Sequence, residues 1–68
     1  MNEDVLNTSV RKFLKRVGIN SQREIEKAVR GAIAEGKLKG NEKLPARMSL
    51  NVERINLLLV IDDIVELE

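Results

Sequence analysis

The sequence predicts an α+β fold, two helices followed by an antiparallel β-hairpin packed on them, and three observations carry that prediction. Apolar residues recur at helical spacing in the first half of the chain, at Leu6, Val10, Phe13, Leu14 and Val17 and again at Ile25, Ala28, Val29, Ala32 and Ile33. From Ala46 onward they alternate with polar ones, which is the period of a strand with one face covered. Between the two patterns lies GKLKGNEKLP, rich in lysine and glycine and closed by Pro45.

The first helix is expected over about residues 3–17. Asn2 is a good N-cap, and Glu3 and Asp4 in the first turn with Lys15 and Arg16 in the last suit the helix dipole. Gly18 then reads as a left-handed terminator. The second helix, about residues 22–35, has its start and stop written in. Ser21 stands at the N-cap with Glu24 three residues on, the pattern in which both side chains satisfy backbone donors reciprocally, and Gly36 supplies the C-terminal left-handed residue. Its apolar stripe is expected against Phe13 and Val17. Glu26 and Arg30 form an i, i+4 pair worth about 0.2–0.5 kcal/mol, and Gly31 costs about 1 kcal/mol relative to alanine inside a helix.

Residues 36–45 read as a loop, with Leu38 and Leu44 as anchors and Leu44 held extended by Pro45. A strand follows at about 46–52, with Ala46, Met48, Leu50 and Val52 on one face and Arg47, Ser49, Asn51 and Glu53 on the other. The second strand, about 58–67, is placed antiparallel to it and joined through Glu53 to Leu57. The odd positions Ile55, Leu57, Leu59, Ile61, Val65 and Leu67 share a face interrupted by Asp63. A bulge near Asp62 and Asp63 would turn that carboxylate outward, and a turn splitting the segment is the other arrangement the spacing permits.

At 68 residues the chain is one small domain, with roughly 3–5 kcal/mol of stability to expect from a core of this size. It has no cysteine, hence neither disulfides nor a thiolate metal site, which suits a reducing cytoplasm. The longest apolar run, Leu57 to Ile61, is far short of the ~18 residues that span a bilayer, and no export signal is visible. Net charge is +1 but unevenly divided: residues 1–47 carry 11 basic and 6 acidic side chains, residues 48–68 carry 1 and 5.

The segments MNEDVLN, RKFLKRVG, SQREIEKAVR and GKLKG followed by EKLPARM resemble a family of small uncharacterised bacterial proteins of about this length. The resemblance covers nearly the whole chain. It implies a bacterial, cytoplasmic protein, and it brings no activity, cofactor or binding residue with it.

The residue inventory points away from catalysis. Without His, Cys, Tyr or Trp there is no neutral-pH base to activate Thr8, Ser9, Ser21 or Ser49. Asp62, Asp63, Glu66 and Glu68 lack the calcium-loop spacing, and GKLKG lacks the phosphate-loop pattern, so no metal and no other cofactor is expected, nor a small-molecule substrate. Two macromolecular readings remain. In the first, Leu58, Val60 and Ile64 project from the back of the hairpin as a protein-interaction surface, with a homodimer as one outcome, unless the loop through Leu38 and Leu44 covers them. In the second, the helix-turn-helix-like start offers nucleic acid Gln22, Arg23, Lys27 and Arg30 with Lys37, Lys39 and Lys43 on phosphates, although a third helix is missing. The first is the expectation.

Overall fold

In the computed structural model, which describes residues 1–68, the chain forms one long helix, α1 (Glu3–Ala34), and a two-stranded antiparallel sheet of β1 (Lys43–Val52) and β2 (Leu57–Glu66). The class is α+β, with one helix where the sequence reading placed two. It divides into two compact units, Met1–Lys37 and Leu38–Glu68.

Both ends of α1 are built as the sequence indicates. The Asn2 side chain accepts the N–H groups of Asp4 and Val5 at 3.0 and 3.2 Å, which satisfies two donors that a helix start leaves unpaired. At the other end Gly36 adopts a φ of 77°. Its N–H bonds to the carbonyl of Ile33, and that of Lys37 to Ala32, the paired arrangement that closes a helix through a left-handed glycine.

The expected break between the two helices does not form. Gly18 is helical, Ser21 lies mid-helix rather than at a cap, and the backbone donors that Ser21 and Glu24 would have satisfied are taken by the helix itself. Nor does the second apolar stripe pack on Phe13 and Val17, since both belong to the same helix as Ile25. The physical reason lies in the phase of the stripe. Leu14, Val17, Ser21, Ile25, Ala28 and Ala32 follow one another at spacings of three and four, so the face runs on through the glycine with no residue inserted to reset it. A single helical glycine costs about 1 kcal/mol, less than unpairing the several backbone groups that two new termini would expose.

Apart from the adjoining residues and the helix's own backbone, nothing lies within 4 Å of where a Cβ would stand on Gly18 or Gly31. Gly18→Ala and Gly31→Ala are therefore each expected to stabilise the protein by about 0.8–1 kcal/mol in urea unfolding. Were Gly18 a left-handed terminator, alanine there would destabilise instead.

The hairpin pairs ten residues with ten, from Lys43 opposite Glu66 to Val52 opposite Leu57, without interruption. Asp62 and Asp63 are paired in sequence, so neither a bulge nor a dividing turn exists there. Asp63 stays on the apolar face, where it sits opposite Ala46, a side chain small enough to leave the carboxylate open to water. β1 also begins three residues earlier than the alternation indicates, because Pro45 does not interrupt the ladder. The N–H of Leu67 bonds to the carbonyl of Glu42 at 3.2 Å, which makes residues 42 and 67 a hydrogen-bonded pair. In an antiparallel ladder such pairs alternate, so Pro45 occupies a position whose N–H would point away from β2. The strands are joined by a short 3-10 turn, Glu53–Ile55, and by Asn56 in the left-handed conformation at φ 52°, its N–H closing on the carbonyl of Glu53.

Candidate functional site

Strand alternation sorts the hairpin into two faces. One carries Ala46, Met48, Leu50 and Val52 with Leu57, Leu59, Ile61 and Val65, as the sequence indicates, joined by Leu44, expected in the loop, and by Asp63, expected to turn outward. The other carries Leu58, Val60 and Ile64 beside Pro45, Arg47, Ser49, Asn51 and Asp62. Leu58, Val60 and Ile64 are 68%, 45% and 50% exposed, so all three expected interaction residues stand together and open. Leu44 cannot cover them, because it belongs to β1 and points to the opposite face, beside Val65. Between Val60 and Ile64 the Arg47 guanidinium donates to the Asp62 carboxylate at 2.7 Å, a cross-strand pair between exposed side chains that fixes register more than it adds stability.

No residue in either unit is buried. On α1 the apolar stripe includes Phe13 at 51% and Leu14 at 52% exposure, so the side chains expected to meet across two helices face outward on one. A helix of this amphipathic kind normally lays such a stripe on another element.

The residues of the nucleic-acid reading are divided between the two units, although Arg23, Lys27 and Arg30 share one side of α1. Gln22, Arg23 and Arg30 line a groove of about 250 Å³ with Ile19 and Glu26, and the Glu26 carboxylate holds the Arg30 guanidinium at 3.2 Å. Lys27 and Lys37 line a second groove that also holds Glu24 and Glu35, and the Lys37 ammonium lies 3.0 Å from Glu35. Lys39 and Lys43 belong to the hairpin unit. With one continuous helix there is also no turn to set a recognition helix apart, which removes the geometry that reading began from.

Dividing the helix at Gly18 also hid a feature. Lys12, Arg16, Arg23, Lys27 and Arg30 fall on one side of α1, far from the apolar stripe. Their positions keep this face in water whatever covers the other. Carrying the helical phase across Gly18 would have found it.

The loop before β1 has its own organiser. The Glu42 carboxylate accepts the backbone N–H groups of Lys39, Gly40 and Asn41 at 2.8, 2.9 and 3.2 Å, with Gly40 at φ 109° to allow the turn. The N–H of Lys39 and then that of Gly40 hold this carboxyl below its ordinary value of 4.5. A depressed carboxyl contributes order above its ordinary value and loses it as the pH falls through the depressed one. The amide resonances of Lys39, Gly40 and Asn41 are therefore expected to move together as the pH is taken below 4.5, and Glu42→Gln should abolish that titration.

No group of three or more acidic, cysteine or histidine side chains is placed to hold a metal ion, and no helix is long and apolar enough to cross a membrane. The model of a family of unknown function, DUF6494, matches residues 1–68. The chain belongs to that family. Neither a curated protein nor a solved structure matches it. Membership in DUF6494 extends over both units and assigns no role to any residue, so any function has to be argued from the hairpin and the helix themselves.

Proposed function

We propose that this DUF6494 protein is a non-enzymatic interaction module that completes its fold by associating with another polypeptide, in the first place a second copy of itself, through the hairpin. One observation carries the reading. The sheet has only two strands, both faces of it bear large aliphatic side chains, and none of them is buried. A two-stranded hairpin is marginal in water by itself and gains independent stability with a third strand or with a packed layer. Open aliphatic faces of this kind are association surfaces.

The absence of His, Cys, Tyr and Trp supports a role without catalysis, and the absence of cysteine suits the cytoplasm. Sedimentation equilibrium across a wide concentration range tests the proposal. The expected result is a mass that rises from monomer to dimer with concentration. A monomer throughout, with the hairpin folded, would overturn it.

A further inference from the structure

The two edges of the hairpin differ in a way that selects one of them. Because residues 42 and 67 are hydrogen-bonded to each other, the odd residues of β1 and the even residues of β2 direct their backbone groups away from the ladder. On β1 these are Lys43, Pro45, Arg47, Ser49 and Asn51. Pro45 has no donor to offer, and Lys43 and Arg47 flank it with charge, the devices by which natural sheets blunt an edge. On β2 they are Leu58, Val60, Asp62, Ile64 and Glu66. The N–H of Ile64 is already taken, at 2.7 Å, by the side chain of Asp63. That leaves Leu58, Val60, Asp62 and Glu66 as the open donors, and the first two lie within Leu57 to Ile61, a run with no charge, no proline and no glycine.

Charge then fixes the direction. β2 is entered past Arg54 and left past Asp62, Asp63 and Glu66. A parallel neighbour would stack acid on acid. An antiparallel one about a two-fold axis carries the Arg54 of each chain toward the acidic end of the other.

We propose that the outer edge of β2, centred on Leu57 to Ile61, pairs antiparallel with the same edge of a second copy, giving a four-stranded sheet in the order β1-β2-β2-β1. This rests on the self-association reading and names its interface. The pairing uses up the open edge and leaves the Pro45-bearing edges outermost, so the assembly closes at two chains instead of growing.

Proline substitution on either edge tests the proposal, because at both Val60 and Ser49 the N–H points outward and the hairpin's own ladder is spared. Val60→Pro should weaken dimerisation by about a hundredfold, since the symmetry removes two bonds at once, while Ser49→Pro leaves it unchanged. In the wild-type dimer the amides of Leu58, Val60 and Asp62 should exchange with solvent deuterium far more slowly than those of Arg47, Ser49 and Asn51. This exchange pattern decides the matter even if Val60→Pro fails to fold. A dimer whose Leu58, Val60 and Asp62 amides exchange freely, or one that Ser49→Pro disrupts and Val60→Pro does not, overturns this edge and leaves self-association standing. A wild-type chain that stays monomeric removes both.

Discussion

Proline in place of Asn20 is expected to cost the protein about 3 kcal/mol or more and to remove much of its helical circular dichroism. Residue 20 lies in the interior of α1, so its N–H is committed to the carbonyl four residues back, and the proline ring would collide with that same carbonyl. A domain of this size has roughly 3–5 kcal/mol in total, so the substitution should remove most of its stability and bring the urea midpoint close to zero. The experiment separates the observed helix from the two-helix reading. In a connection between Gly18 and a cap at Ser21, proline would be close to neutral, and an unchanged urea midpoint would mean that the helix breaks there.

The second large effect is expected in β2 and depends on parity. Leu59 is the partner of Leu50 in a pair whose backbone groups face each other, so Leu59→Pro deletes a ladder bond in the middle of the hairpin and leaves the Leu50 carbonyl without its donor. With no residue buried the freed carbonyl can turn to water, so the lost bond costs about 0.5–1.5 kcal/mol, to which the misfit of the proline ring within the ladder adds, a large share of the roughly 3–5 kcal/mol the fold has. Strand resonances and cross-strand nuclear Overhauser contacts around Leu50 and Leu59 should weaken markedly. One residue on, at Val60, the same substitution should spare them. If both prolines are equally tolerated, the register of the ladder is different from that described.

Much of this architecture is legible in the residues. Asn2 and Gly36 mark the ends of the helical half because each supplies chemistry that a helix end needs and a helix interior does not. The faces of both strands follow from simple alternation, and Leu58, Val60 and Ile64 fall together as that alternation requires. What misleads is local. Gly18, Ser21 and Glu24 form a credible stop and start, but such signals are worth about 1 kcal/mol each and yield to an unbroken helical ladder. The carboxylates of Asp62 and Asp63 suggest an irregularity that the regular ladder does not need, since one pairs with Arg47 and the other faces Ala46. Which edge is open was not legible. Side-chain alternation says which way a residue's Cβ points, and only the ladder's hydrogen-bond phase says which way its amide points.

The short connection from Glu53 to Asn56 also has a kinetic meaning. Every pair in the ladder is closed across one small turn, and every bond in α1 is between near neighbours, so no step within a chain has to search far. Helices and hairpins of this kind form in about 10 µs or less. For a chain that self-associates as proposed, the slow event is then the meeting of two copies, and the half-time for reaching the dimer should be set by how much protein is in solution.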